Sequence, residues 1–424
     1  MNAETLRRLV DHAPIVFDTM DRLTLSVGVA VAVLICAAIA ALSQPRHQPR
    51  RAHQWLMRAG IILAVLGSIV AVTAAAIPDR PAQAAPTATY NARLATVRAL
   101  TALVVEYRSP AGVWDSLPGL PGWWQSAVDL DDMIAAERAL GTHADDWVIA
   151  QTYAVTQDTY AEKIIRWRGP YYDDAGWWGV MWLDAYQWTH DRRYLVAAQG
   201  VADWLERGRT GSCGGGVEWG DPSDIRHGDQ KNSITNTLTV DLDAGLYQVT
   251  HRPADLSRAL ASWRWLRSSD LVQPGRLVAD HLDAACHPVG VDWSYTQGMA
   301  IRSGMELTAA TGDVGYEATA DRVADSATTS RGLNPAGVLR EPCAPRQCGV
   351  NGVEFPGVLM VALGQLGGHH TYLARQALSA YRHDRMVGDD GTDLYGLDWH
   401  GPPDMTSPGR QASAVAVFAA ALDG

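Results

Sequence analysis

Two adjacent acids, Asp173 and Asp174, follow Tyr171-Tyr172 and precede Trp177-Trp178, just ahead of a helical run that begins near Gly176. In water both would ionise, but shielded by phenol and indole rings they cannot easily carry two charges side by side. One proton affinity rises and the other falls, which separates an acid from a nucleophile. The helix N-terminus favours the ionised member. Neighbouring Cα atoms stand about 3.8 Å apart, which puts the carboxyls ~5–6 Å apart, the spacing of retaining glycoside hydrolysis rather than the ~6.5–9.5 Å of inversion. Without its aromatic flanks the pair would read as an N-cap and a solvated neighbour.

Other loop phrases carry the same mixture of aromatic and hydrogen-bonding residues: Gly214-Gly-Gly-Val-Glu218-Trp219, Lys231-Asn232, Asp292-Trp293-Ser-Tyr295-Thr-Gln297, and Asp398-Trp399-His400-Gly401-Pro402. Ring faces that stack and edges that donate or accept are what a sugar asks of a site. The chain holds 16 tryptophans against 3 phenylalanines, a bias toward amphipathic platforms. Asp131-Asp132 reads as a solvated helix face, and Glu218 as a third, mobile carboxylate. No metal-ligand spacing or phosphate-binding Gly-Lys-Ser ending is present, and no cofactor is expected.

Residues from about 90 onward have apolar positions at helical spacing, as in Met299, Ile301, Met305 and Leu307. A helix-closing phrase recurs at Thr189, Thr250 and Thr311, 61 residues apart each time, with weaker copies near Leu140 and Leu366. Solenoid repeats of ~34–47 residues are shorter than this. The period fits one long hairpin plus a sizeable loop, and predicts an all-α (α/α)6 toroid over residues 90–424, with loops at one rim building a cleft.

Residues 1–77 form an expected membrane or signal region with two apolar segments, 23–43 and 60–77, and 78–89 a Pro/Ala-rich linker. Arg46, Arg50, Arg51 and Arg58 between the segments place that loop inside and everything beyond residue 78 outside. Ala82-Gln83-Ala84 also suits a signal cleavage site, so a retained anchor and a cleaved leader both remain open. The exported part would be a monomer at the membrane or secreted. Net charge is −11, and residues 1–85 carry eight arginines against five acids, leaving −14 for the rest. That argues against nucleic acid and favours a neutral ligand. Cys343 and Cys348 are expected to pair if the domain is exported, and pairing of Cys213 with Cys286 stays open.

The chain resembles glycoside hydrolase family 76, the bacterial endo-α-1,6-mannanases and their fungal cell-wall relatives, over roughly residues 90–420. The resemblance rests on Gly122-Trp-Trp-Gln125, Tyr172-Asp-Asp-Ala-Gly-Trp-Trp178, Lys231-Asn232…Asn236, Tyr295-Thr-Gln-Gly298 and the Gly401-Pro402 region before Gln411-Ala-Ser413. It implies the (α/α)6 fold, cleavage of α-1,6-mannan of a cell envelope with retention, Asp173 as nucleophile and Asp174 as acid/base. Expected substrate contacts are Trp123, Trp124, Tyr172, Trp177, Trp178, Lys231, Asn232, Tyr295, Gln297 and Trp399. The chain departs from the family pattern at Thr237, Thr296 and Pro356, in loops expected to meet substrate. A mannan transglycosylase on the same site and a non-catalytic polysaccharide-binding toroid are the alternatives.

Overall fold

Thr189, Thr250 and Thr311 each end a helix in the same way. Their hydroxyls donate to the carbonyl four residues back (2.7 Å each) and accept the backbone N–H two residues on. The following residue, His190, His251 or Gly312, turns left-handed and stops the helix. The 61-residue period is thus the repeat of one capping device.

The computed structural model describes residues 90–117, 120–159, 170–221, 223, 230–344, 348–388 and 391–422. Among them are twelve helices: α1 (Ala92–Val105), α2 (Trp124–Leu140), α3 (Asp146–Thr159), α4 (Tyr172–Thr189), α5 (Arg192–Leu205), α6 (Ser233–Thr250), α7 (Pro253–Ser268), α8 (Ser294–Thr311), α9 (Glu317–Thr329), α10 (Phe355–Leu366), α11 (His370–His383) and α12 (Pro408–Ala420). Three short hairpins decorate the loops: β1 (Asp115–Leu117) with β2 (Leu120–Pro121), β3 (His281–Leu282) with β4 (Pro288–Val289), and β5 (Arg385–Val387) with β6 (Asp393–Tyr395).

The even-numbered helices pack in order, and α12 returns against α2, closing a ring of six. Helices α5, α7, α9 and α1 pack outside α4, α6, α8 and α12. Sequence explains who goes where. In α5 the buried residues Tyr194, Leu195, Ala198, Val201, Ala202 and Leu205 form one stripe, as an outer helix requires. In α6 every residue from Ser233 to Leu246 is buried, so the helix has no solvent face. Gly179 lets α4 and α6 approach, since a Cβ there would stand 2.6 Å from Leu242 and 2.7 Å from Val201.

The ring encloses charge as well as apolar side chains. Arg302 on α8 is buried and reaches Asp184 on α4 (2.6 Å), Asp131 on α2 (2.8 Å) and Asp241 on α6 (3.3 Å). Asp132 is equally buried, so the expectation that Asp131-Asp132 forms a solvated face is corrected: α2 turns that face into the ring. The apolar segments 23–43 and 60–77 and the linker 78–89 lie outside the described residues. No helix among the described residues is long and apolar enough to cross a membrane.

Candidate active site

Loops at one rim enclose a cleft of about 650 Å³, with Asp173 and Asp174 on its wall. The acids sit in the first turn of α4, which starts at Tyr172, four residues earlier than the sequence pattern suggested. Their placement depends on a neighbouring strand-like segment. The Tyr172 N–H donates to the Trp219 carbonyl (2.8 Å), and Tyr171 pairs with Gly220. That docking brings the Trp219 indole to Asp173, where Nε1–H donates to Oδ2 (2.9 Å), while the Asp174 N–H donates to Oδ1 (3.0 Å).

The two acids are therefore unequal. Burial raises the proton affinity of Asp173 to about 7, with the nearby Asp280 pushing the same way and the hydrogen bonds from Trp219 and Asp174 opposing it. Among the described residues, none donates in this way to the Asp174 carboxyl. Burial, and then the charge of Asp173, push it well above the ordinary carboxylate range. Asp173 is the member poised to ionise and Asp174 the one that keeps its proton. Trp219→Phe is expected to raise Asp173 further, moving the acidic limb of the pH–rate profile to higher pH and lowering kcat/KM at neutral pH about tenfold. A profile that coincides with that of the wild type would show that this hydrogen bond does not tune the pair.

An aromatic band runs along the cleft. Trp124 stacks with Trp177 (5.9 Å between ring centres) and with Phe355 (6.4 Å), and Tyr295 lies flat on Phe355 at 3.9 Å. Asp280 also lines the cleft, hydrogen-bonded to His281 Nδ1 at 3.0 Å. The start of α6 holds this pair in place, because the Ser233 N–H donates to the Asp280 carbonyl (2.8 Å). Gly290 (φ +107°) makes room for it; a Cβ there would come within 2.8 Å of Asp280 Oδ2 and 3.0 Å of His281 Nδ1.

Of the expected substrate contacts, the structure brings Trp124, Trp177, Asn232 and Tyr295 to the cleft. Asn232 also caps α6, its Oδ1 accepting from Thr235 N–H (3.1 Å). The other six stand elsewhere. Trp178 is buried behind the cleft and packs against Trp123 (5.1 Å), and Tyr172 is buried against Trp204 and Gly208. Trp399 is buried, its carbonyl tied to Ser379.

Gln297 is fully buried and serves the fold. Its Oε1 accepts from Val278 N–H (2.8 Å) and its Nε2 donates to the Val278 carbonyl (3.1 Å). Asn236 on α6 holds Val217 in the same two-way fashion, and Gln411 on α12 bridges Tyr395 and Asp393. An amide near the start of an inner helix pins the preceding loop. Lys231 is buried beside Glu218 (3.3 Å) and donates to the Gly216 carbonyl (2.6 Å). Glu218 is correspondingly fixed by Lys231 and Thr210, and the expectation that it is mobile is corrected.

Sequence reasoning missed Asp280, His281, Asn351 and Phe355 in the cleft, whereas Tyr171 belongs to the aromatic flank it had marked. Trp219 and Trp293 lay in phrases it had marked. Asp280-His281 carries no aromatic flank or spacing that would have marked it; only the pairing of β3 with the start of α6 brings it there. Among the described residues, no group of three or more His, Cys, Asp or Glu side chains is placed to hold a metal ion.

Disulfides Cys213–Cys286 and Cys343–Cys348 brace the rim loops. The first closes a span of 73 residues and the second a span of 5. Loop-closure entropy assigns them about 4 and about 2 kcal/mol respectively. Replacing Cys213 and Cys286 by Ser is thus expected to lower the denaturation midpoint more than the same change at Cys343 and Cys348. The reverse order in a urea titration would show that native-state contacts, not chain entropy, set the effect.

The sequence description "Glycosyl hydrolase family 76" matches residues 92–423. No curated protein matches the chain. Among solved structures, the fold is similar to the GH76A α-1,6-mannanase of Salegentibacter sp. (TM-score 0.67, 21% identity, covering 78% of this chain and 99% of that one). An inactive variant of that enzyme, with two consecutive aspartates replaced by alanine and in complex with α-1,6-mannotetrose, is equally similar (TM-score 0.67, 20% identity, 78% and 99% covered). Dfg5 from Chaetomium thermophilum, in complex with glucosamine, has TM-score 0.65 at 19% identity, with 78% of this chain and 89% of that one covered.

Proposed function

Because the chain belongs to glycosyl hydrolase family 76, we propose that it is a retaining endo-α-1,6-mannanase acting on mannan of a cell envelope. The observation that carries this reading is the unequal pair: Asp173 held by two N–H donors, Asp174 without them, both on the wall of an aromatic cleft. The inactive aspartate variant of the Salegentibacter enzyme and its α-1,6-mannotetrose complex support the substrate class.

In the reaction Asp174 gives its proton to the departing glycosidic oxygen while Asp173 forms a bond to C1. Asp174, now ionised, takes a proton from water, whose oxygen displaces Asp173 and restores both groups with the configuration at C1 retained. The Trp124–Trp177–Phe355–Tyr295 band offers apolar faces to successive sugar rings, and Asn232 offers hydrogen bonds at the edge. Two disulfides favour an oxidising compartment, in keeping with export, and the N-terminal apolar segments would provide the leader or anchor.

Residues 87–424 form one compact unit and suffice for the test. Incubated with linear α-1,6-mannooligosaccharides and followed by NMR, they are expected to release fragments of several lengths whose first anomer is α. A β-anomer first would overturn retention, and release of mannose alone would overturn endo action. Transfer products longer than the starting oligosaccharide would favour the transglycosylase reading.

A further inference from the structure

Beside the cleft lies a second pocket of about 890 Å³, and Cys348 lines both. The Asp398-Trp399-His400-Gly401-Pro402 phrase, which the cleft does not use, builds part of its wall. We propose that this pocket receives neutral sugar units of the same glycan chain, beyond those seated in the cleft; the ligand named here rests on the mannanase reading above.

Three observations carry the proposal. The first is adjacency: Cys348, held by its disulfide to Cys343, lines both the cleft and the second pocket, so the two spaces meet at that residue.

The second is preorganisation. Asp398 accepts from His400 Nδ1 (2.8 Å) and pairs with Arg340 (2.8 Å), and the other ring nitrogen of His400 is tied to the Pro335 carbonyl (2.8 Å). A wall held at so many points gives up little freedom when a ligand binds.

The third is chemistry. Pro402, Pro403, Val350 and Met405 present apolar surface next to polar edges, and Met405 is 57% exposed although large and apolar. Sugar rings combine an apolar face with a hydroxyl edge in the same way. Each guanidinium on the wall already has a carboxylate, Arg340 with Asp398 and Arg410 with Asp404 (3.4 Å). Among the described wall residues no cation is left over for a phosphate or uronate, so they suit a neutral ligand.

The test fills the pocket without touching the cleft. In residues 87–424, Met405→Trp and Val350→Trp each place an indole against the space from a residue that lines it. Each is expected to lower kcat/KM on long α-1,6-mannan about tenfold while leaving α-1,6-mannotriose, too short to reach the pocket, within about twofold. Unchanged activity of both variants on the polymer would overturn the pocket's role, and so would an equal loss on both substrates. A wild type that cleaves neither substrate would overturn the mannanase reading instead, and with it the ligand named here.

Discussion

Asp173→Asn and Asp174→Asn are each expected to lower kcat/KM on α-1,6-mannan by about a thousandfold or more, for different reasons. Asparagine at 173 keeps an acceptor for one of the two N–H groups that Trp219 and Asp174 supply, and cannot form the bond to C1. No change of leaving group should restore it. Asparagine at 174 removes only the proton donor, so an aryl α-mannoside whose leaving group needs no proton should recover much of the first step. The pH profiles should differ as well. Activity needs Asp173 ionised and Asp174 protonated. It therefore rises as pH passes upward through the region near 7 where Asp173 loses its proton, and falls at higher pH where Asp174 loses its own. In Asp174→Asn, assayed with the aryl mannoside, the alkaline fall should disappear from the first step. If Asp173→Asn were the variant rescued by the aryl mannoside, the two roles would be exchanged.

Arg302→Leu is expected to destabilise the fold by about 3–5 kcal/mol, because it leaves buried carboxylates without their cation. Burial by itself would raise Asp184, but the charges of Arg302 and Arg138 outweigh it and hold that acid low. Asp131 and Asp241, buried in the same ring, rise to about 7 even with Arg302 beside them. Removing the guanidinium strips charge compensation from three helices at once, since Asp131, Asp184 and Asp241 belong to α2, α4 and α6. Arg302→Lys retains the charge but has one ammonium to serve acids that the planar fork meets from three nitrogens, so it should recover only part of the loss. Urea denaturation of the two variants checks this. A midpoint for Arg302→Leu within error of the wild type would show that water or proton uptake compensates the acids.

The cleft acids were legible because their chemistry is local. Adjacent acids between paired aromatics can be recognised from order along the chain, and so can the threonine caps that repeat every 61 residues. Both depend on residues within a few positions of one another. The period, the capping register and the expected twelve-helix ring follow from them, and so does pairing of Cys343 with Cys348, separated by 5 residues.

What lay outside that reach depends on contacts between distant segments. Gln297 and Trp399 stand in phrases that look like sugar-binding loops, yet one pins a loop through Val278 and the other is buried. A side chain's type does not say which side of a loop it occupies. Lys231, an expected substrate contact, is instead claimed by Glu218 and the Gly216 carbonyl. Trp219 reaches Asp173 across 46 residues of sequence, and that indole opposes the effect of burial on its carboxyl. From sequence by itself came the reactive pair, the helical period and the sugar-like composition of the rim. Tertiary structure alone showed the hydrogen bonds that set the two acids apart, the face each aromatic presents and the charge sealed in the ring. The physical reason is that proton affinity and exposure are set by neighbours in space, whereas capping and periodicity are set by neighbours along the chain.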